Sequence, residues 1–223
     1  MTSGDRWLAA TWPLVRAHLP PAPARVMDVG CGRLGGFVPM LRSDGYDAIG
    51  IDPKAPNEPH YQRIEFERAV IPERVDAAIA SVALHHVASP TKVIDRIVST
   101  LETGGVFAVV EWASERFDEP TRRWCFERLG PNDRPGWLHR RREEWPASGL
   151  DWPSYVREWA RREGLHAGDV LVRLLDERLD RQLLMRGPYF FPDLAETTEA
   201  DEQSAIDADQ IRACRIDYVG IRR

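Results

Sequence analysis

The chain of 223 residues is long enough to bury the core of one domain, with room for a sizeable insertion. Its formal net charge of -5 argues against a nucleic-acid partner held through phosphate contacts. There is no charged-then-apolar leader, no apolar run of about twenty residues and no Cys-x-x-Cys pair among the three cysteines, so we expect a cytoplasmic protein without a membrane partner.

The first half of the chain alternates between strand and helix patterns. Helical spacing predicts a helix over residues 7–19, so segment 1–24 is interpreted as an N-terminal helix and linker. Further helices are predicted to begin near Phe37 and at Ser89-Pro90, and strands are predicted at 26–29, 46–51, 62–66, 75–81 and 106–111. This alternation indicates an α/β fold with a Rossmann-like, doubly wound parallel sheet, whose cofactor-binding core is 25–111.

The second half has a different texture. Residues 112–182 show helical patterns only and predict a helical insertion within a single domain, 1–223. We expect this insertion to lie on the substrate side of the domain. Alternation over 183–186 and 211–219 predicts the two strands that close the sheet within 183–223. The acidic stretch 193–209 between them is interpreted as a solvated helix. The insertion is rich in tryptophan, and most of these side chains are expected in its core, with one or two reaching a substrate pocket: Trp124, Trp137, Trp145, Trp152 and Trp159.

A glycine-rich turn follows the first strand. Gly30-Cys31-Gly32-Arg33-Leu34-Gly35 matches the dinucleotide pattern G-x-G-x-x-G, which keeps an NAD(P)-dependent oxidoreductase open. Asp52, at the end of the second strand, suits the ribose of any nucleotide-like cofactor and does not distinguish one class from another. Asp28 discriminates, because a carboxylate beside this turn would repel a pyrophosphate and would attract an ammonium group.

Asp28-Val29-Gly30-Cys31-Gly32 resembles the first motif of the class I S-adenosylmethionine-dependent methyltransferases of the small-molecule type. The resemblance extends over 25–111 and implies seven strands, mostly parallel, with an antiparallel last strand. It also implies S-adenosylmethionine as the cofactor and S-adenosylhomocysteine as the product. The contacts it implies, with Ser81 added from its place at a strand end, are Asp28, Gly30, Cys31, Gly32, Gly35, Asp52, Pro53, Glu67 and Ser81.

Two positions in this resemblance are ambiguous. The third motif of the family has an acid five residues before a proline, here Glu67 and Pro72, and Glu65 competes for the same place near adenine. The glycine turn is one residue longer than usual, so Gly35 and Gly36 compete for the third glycine role.

The catalytic group is less readable than the cofactor site. His85 and His86 follow the fourth strand and Glu111 ends the fifth, so each could act as a base or could simply cap, pack or pair with an arginine such as Arg116. No histidine and acid spacing predicts a metal site. The resemblance implies methyl transfer, and we expect an O or N atom of a small molecule as the acceptor. The alternatives are the oxidoreductase and a protein that binds S-adenosylmethionine or S-adenosylhomocysteine without transferring a methyl group.

Overall fold

The computed structural model describes residues 2–71, 73–131 and 136–223. It has a seven-stranded sheet in the order β3-β2-β1-β4-β5-β7-β6. All neighbouring pairs are parallel except those of β7, which runs antiparallel to both β5 and β6. The strands are β1 Arg25–Val29, β2 Asp47–Ile51, β3 Tyr61–Gln62, β4 Val75–Ser81, β5 Leu101–Trp112, β6 Leu179–Gly187 and β7 Arg215–Arg222.

Eight helices are assigned within the described residues. They are α1 Ser3–His18, α2 Val38–Ser43, α3 Pro90–Thr100, α4 Glu119–Glu127, α5 Trp137–Ser148, α6 Trp152–Arg162, α7 Gly168–Asp176 and α8 Glu199–Asp207. Short 3-10 turns occur at Phe66–Arg68, Leu84–His86, Ser114–Arg116 and Phe191–Asp193. The predicted Rossmann-like fold, with a helical insertion before the last two strands, is confirmed.

The alternation of side chains along β4 explains the layering. Ala77 and Ile79 point to a core shared with α1 and α2, whereas Ala78 and Ala80 point to the opposite core, which α3 and α7 cover. A third cluster, built mainly from aromatic side chains of the insertion, lies beyond the end of β5. This third cluster forms one wall of the site described below.

Several predicted bounds differ from the structure. The third strand is only Tyr61–Gln62, and the predicted strand residue Phe66 instead begins a 3-10 turn. Strand β5 begins at Leu101 rather than at the predicted residue 106, and the added segment contains Gly104 and Gly105, where the register with β4 shifts. Pro72, which completes the predicted third motif, is outside the described residues.

The closing strands are also longer or shifted. β6 begins at Leu179, inside the segment predicted to be helical, and β7 runs to Arg222 rather than ending at residue 219. Pairing explains both differences, because β7 lies between two partners and its ladder with β6 continues to both strand ends.

Candidate functional site

The carboxyl ends of β1, β2, β4 and β5 meet at one edge of the sheet. The chain order reverses there between β1 and β4, which is where open α/β sheets bind ligands. Three adjoining cavities open at this edge. We call them the loop cavity, about 230 Å³, the strand-end cavity, about 670 Å³, and the aromatic cavity, about 650 Å³.

The glycine turn after β1 depends on two close approaches of the backbone. Gly30 has φ 81°, and a Cβ there would lie 2.3 Å from the Cβ of Ala83. Gly36 has φ 56°, and its Cβ would lie 2.3 Å from Oδ2 of Asp28. Only glycine combines these left-handed angles with such contacts, so the turn can close around the Asp28 carboxylate.

Asp28 is buried, and its Oδ2 accepts a hydrogen bond of 2.7 Å from the backbone N–H of Phe37. Burial, reinforced by the charge of Asp52, raises the pKa of Asp28 to about 7 although the Phe37 bond opposes it. The N–H at the start of α2, which would serve a pyrophosphate in a dinucleotide site, is therefore already occupied by an acidic side chain of the protein. A ligand that brings a positive charge fits this position.

The loop cavity lies directly above this turn. Trp7 of α1 donates a hydrogen bond of 2.9 Å from Nε1 to Oγ of Ser81, so α1 covers the cavity. Gly36 lines the cavity, whereas Gly35 packs against Tyr61, where an added Cβ would lie 2.3 Å from the Tyr61 hydroxyl. The predicted cofactor residues on this cavity are Asp28, Gly30, Cys31, Gly32 and Ser81.

The strand-end cavity contains three more of the predicted cofactor residues, Asp52, Pro53 and Glu67, whereas the predicted Gly35 lines neither cavity. Oδ1 of Asp52 accepts a hydrogen bond of 2.6 Å from the backbone N–H of Lys54, which fixes the carboxylate at the end of β2. Pro53 follows in the lining, and both competing acids, Glu65 and Glu67, reach the same cavity with exposed side chains. Asp52 and both competing acids therefore lie on the same cavity.

The turn after β4 forms a wall of all three cavities through Val82. This valine has φ 51°, a left-handed angle that a β-branched residue rarely adopts. Its N–H donates to the carbonyl of Val110, and Oε1 of Glu111 accepts from the N–H groups of Ala83 at 2.8 Å and Leu84 at 2.6 Å. These bonds to β5 hold the strained turn in place.

Glu111 is fully buried beneath His85, and its Oε2 lies 2.6 Å from Nδ1 of that histidine. Burial on its own would raise the pKa of Glu111. Interaction with His85 and hydrogen bonds from the backbone, including that of Trp112, outweigh it, and the pKa lies below its ordinary value. The carboxylate is therefore ionised at neutral pH and accepts a hydrogen bond from Nδ1–H of His85. Arg116, the partner considered for Glu111, instead donates to the carbonyl of Ala213.

Both histidines line the aromatic cavity, but they differ in environment. His85 is buried and oriented by Glu111, and its Nε2 takes part in none of the hydrogen bonds found among residues 2–71, 73–131 and 136–223. His86 also lines the strand-end cavity, and burial together with the neighbouring His85 lowers its pKa to about 4. His86 is therefore neutral at physiological pH and lies between the two cavities.

The aromatic cavity is built mostly from residues that the sequence did not single out. The rings of Trp112 and Tyr189 stack at 5.4 Å, and those of Trp137 and Trp159 stack at 6.0 Å. Trp137 and Trp159 are the two insertion tryptophans that reach the pocket, whereas Trp152 is buried in the insertion. In the sequence, the run of aromatic residues at 189–191 is a signal for this part of the cavity wall.

Two further structural findings bear on the site. No group of three or more histidine, cysteine, aspartate or glutamate side chains is arranged to hold a metal ion within the described part of the chain. None of the helices in those ranges has both the length and the apolar character needed to cross a bilayer.

Comparisons with known proteins agree with this geometry. A family model described as a methyltransferase domain matches residues 6–163. The chain matches no curated protein. Three similar crystal structures illustrate the fold, all at identities low enough that the likeness concerns the fold alone.

A Listeria monocytogenes protein assigned as an S-adenosylmethionine-dependent methyltransferase aligns with a TM-score of 0.57 at 15% identity, over 96% of this chain and 99% of that one. The geranyl diphosphate C-methyltransferase of Streptomyces coelicolor A3(2), in complex with Mg²⁺, geranyl-S-thiolodiphosphate and S-adenosyl-L-homocysteine, aligns with a TM-score of 0.57 at 14% identity, over 96% and 76%. The N-methyltransferase NodS of Bradyrhizobium japonicum WM9, in complex with S-adenosyl-L-homocysteine, aligns with a TM-score of 0.53 at 14% identity, over 96% and 86%.

The family match covers well over half of the chain, and these structures share the sheet that positions the three cavities. The chain therefore belongs to the methyltransferase domain family and has the fold of its S-adenosylmethionine-dependent members.

Proposed function

We propose that the protein moves a methyl group from S-adenosylmethionine to an O or N atom of a small molecule bound in the aromatic cavity. The observation that carries the proposal is the shared wall at Val82 and His86, which joins the cofactor side of the site to a separate aromatic cavity. A volume of about 650 Å³ lies within the roughly 300–1,000 Å³ typical of small-molecule sites.

The residues of the loop and strand-end cavities suit the three parts of this cofactor. Asp28 would pair with the ammonium group, Asp52 with the ribose hydroxyls, and Glu67 or Glu65 with the adenine amino group. The Gly30, Cys31 and Gly32 backbone, with Pro53 and Ser81, would shape the space around them. When bound, the cofactor supplies a methyl group that is already activated by its sulfonium.

The task of the protein is then to align the acceptor, exclude water and accept a proton where the acceptor carries one. His85 is the best placed base, because Glu111 accepts the hydrogen bond from its Nδ1–H, which leaves the lone pair of Nε2 for an acceptor in the cavity. Glu111 lies beneath His85 and acts as a positioning residue. His86 is a neutral side chain at the boundary, where it would contact both ligands.

The choice of O or N follows from this base. A hydroxyl or an ammonium group must lose a proton to expose a lone pair, and a histidine paired with a carboxylate suits that step. The similar structures include both a C- and an N-methyltransferase, so the fold itself accommodates different acceptors.

All three cysteines are free and buried, in keeping with the proposed cytoplasmic location.

Two measurements test the proposal. S-adenosylhomocysteine should raise the melting temperature of the protein whereas NAD(H) should not, and methyl-labelled S-adenosylmethionine should label a product in a screen of small hydroxyl and amine compounds. A shift with NAD(H) alone would favour the oxidoreductase. Binding of S-adenosylhomocysteine without any labelled product would favour a cofactor-binding protein without transferase activity.

A further inference from the structure

Arg141 is an unusual arginine. It lies on α5, lines the aromatic cavity and is only 6% exposed. Its Nη2 donates to Oε1 of Glu144 at 2.8 Å, and its guanidinium lies over the ring of Trp159 at 4.8 Å. Nε and Nη1 are buried and have no hydrogen-bond partner among the residues that the structure describes. Such unpaired donors are costly unless a ligand pairs with them.

A second unpaired donor lies on the same cavity. Trp112 is 3% exposed, and its indole Nε1–H is buried without a partner within the described ranges. Its ring lies 5.6 Å from that of Trp159, the ring on which Arg141 stacks. One ligand of ordinary size could therefore reach both donors.

The two acidic side chains on this cavity, Asp193 and Glu163, already have partners, so they do not indicate a site for a cationic ligand. Asp193 accepts from Nε1 of Trp137 at 2.8 Å and from the Ser3 hydroxyl at 2.7 Å. Glu163 is exposed and pairs with Arg162. Arg140 also lines the cavity and has a partner. Apart from the two histidines, the buried, unpaired polar atoms described on this cavity are therefore hydrogen-bond donors, and two of these three donor atoms belong to the Arg141 cation.

We infer that the aromatic cavity binds a planar aromatic molecule carrying a carboxylate, which pairs with the buried, unpaired N–H donors of Arg141. The indole N–H of Trp112 offers a further donor to an oxygen of the same ligand. The stacked rings on the cavity walls suit a flat ring system, and charge-assisted bonds to a carboxylate would satisfy the buried guanidinium. The inference rests on the proposed function, because it names the chemical class of the methyl acceptor.

A carboxylate fits better than a more highly charged group. Arg141 already shares part of its charge with Glu144, and the charge of Arg140 on the same cavity is offset by those of Asp193 and Glu163. A diphosphate would face these carboxylates with too little positive charge, whereas a single negative charge would balance the guanidinium. Bound in this way, the acceptor would have its carboxylate fixed at α5 and its ring enclosed by the tryptophans.

The test uses matched ligand pairs and needs no turnover. We would saturate the protein with S-adenosylhomocysteine and titrate hydroxybenzoic, aminobenzoic, hydroxynaphthoic and indole carboxylic acids against their own methyl esters, reading tryptophan fluorescence and calorimetry. At least one acid should bind roughly 10- to 100-fold more tightly than its ester, the range expected for hydrogen bonds to a charged group. Arg141→Gln should abolish that preference, and Arg141→Lys should retain part of it.

Arg122→Gln is the matched control. Arg122 is also an insertion arginine that stacks on a tryptophan, Trp145 at 4.2 Å, and pairs with a glutamate three positions away, but it is not on the cavity. This variant should keep the preference for acids. The inference is overturned if no acid binds, if acids and esters bind equally, or if Arg141→Gln keeps the preference. If the glutamine variant does not fold, the wild-type ratio and Arg141→Lys still decide.

Failure of the proposed function would look different. It would appear as absent S-adenosylhomocysteine binding or absent methyl transfer, whereas the preference for acids over esters is read from binding alone.

Discussion

Asp28 shows how one side chain can decide between two cofactors that share a glycine pattern. The dinucleotide pattern and the methyltransferase motif both fit Gly30 to Gly35, and only the carboxylate inside β1 separates them. The structure adds a reason that spacing alone could not supply, since Asp28 occupies the N–H of Phe37 where a phosphate would bind. The predicted family and fold are confirmed by the family match and the shared fold.

The raised pKa of Asp28 leads to a prediction about cofactor binding. Without ligand its pKa is about 7, and an ammonium group beside it would lower that value, so binding near pH 6 should release a proton. The affinity for S-adenosylhomocysteine should therefore rise as the pH increases from about 5.5 to 7. Calorimetry in buffers with different ionisation enthalpies measures the release.

Asp28→Asn should remove the proton release and weaken binding at least tenfold at pH 7.5, because the ammonium group loses its ionic partner. Asp44→Asn provides the control, since Asp44 pairs with Arg16 outside these cavities. Equal affinity and equal proton release in wild type and Asp28→Asn would contradict the assigned role.

A second prediction concerns His85. His85→Ala should lower kcat for an identified acceptor by roughly 10²- to 10⁴-fold, the usual contribution of a general base, and should leave S-adenosylhomocysteine binding nearly unchanged. The substitution spares the bonds from Glu111 to the 83–84 backbone, so the turn should survive. Steady-state kinetics and equilibrium binding separate the two effects.

Glu111→Gln should add little to the loss of kcat when combined with His85→Ala, because the carboxylate acts on the acceptor only through that histidine. Additive losses would mean that Glu111 has an independent catalytic role. His86→Gln, at the boundary of the cavities, should raise KM more than it lowers kcat.

Among the helices and strands, the predicted bounds agree best where a segment carries a clear apolar periodicity of its own. Strand β4 and the start of α3 at Pro90 lie where the sequence placed them. The predicted third strand was too long and the predicted sixth strand was too short. The lengths of β3 and β6 depend on partner strands, which a sequence pattern does not show. Helix α8 is acidic as predicted, but Glu202 is buried and accepts N–H bonds from residues 189–191, which pattern alone could not reveal.

Helix α1 gives a prediction at this scale. Trp7→Phe removes the hydrogen bond to Ser81 while keeping an aromatic ring beside Tyr189, so α1 should cover the loop cavity less firmly. We expect S-adenosylhomocysteine to dissociate several-fold faster in a stopped-flow measurement. Ser81→Ala should have a similar effect, and the double variant should be no worse than either single variant if both act through this bond. Unchanged dissociation in Trp7→Phe would show that α1 does not retain the cofactor.

Across the molecule, most residues of interest on the loop and strand-end cavities could be predicted from the sequence, whereas most of those on the aromatic cavity could not. The cofactor side comes from one continuous stretch with recognisable motifs. The aromatic side brings together α1, the 82–86 turn, the end of β5, α5, α6 and the 189–193 segment. Arg141 is one of several arginines in a charged helix, and nothing in its sequence neighbourhood distinguishes it from Arg142.

Buried carboxyl groups predict how the stability of the ligand-free protein depends on pH. Asp28 and Glu202 have folded pKa values of about 7, above their ordinary values of 3.8 and 4.5, so folding retains protons that the unfolded chain releases. His86 acts in the opposite sense, because its pKa is lowered to about 4, and it offsets one of the two. The free energy of unfolding should therefore fall as the pH rises from about 5 to 7.

Urea unfolding at intervals between pH 5 and 8 measures this slope. Glu202→Gln should flatten it by about one proton, whereas Asp201→Asn, at an exposed neighbour whose pKa is lowered, should leave it unchanged between pH 5 and 7. Stability that rises steadily from pH 5 to 7 would contradict the burial of these protonated acids.

The turn at residues 82–86 has one more consequence. Val82 borders all three cavities and His86 borders two, and one carboxylate, Glu111, fixes both His85 and the backbone beside Val82. A ligand that stiffens this segment from one side changes the cost of ordering it for a ligand on the other. By thermodynamic reciprocity, any factor by which S-adenosylmethionine alters acceptor affinity must equal the factor by which the acceptor alters cofactor affinity. If that factor differs from one, a compound that occupies only the aromatic cavity also changes the affinity for the cofactor.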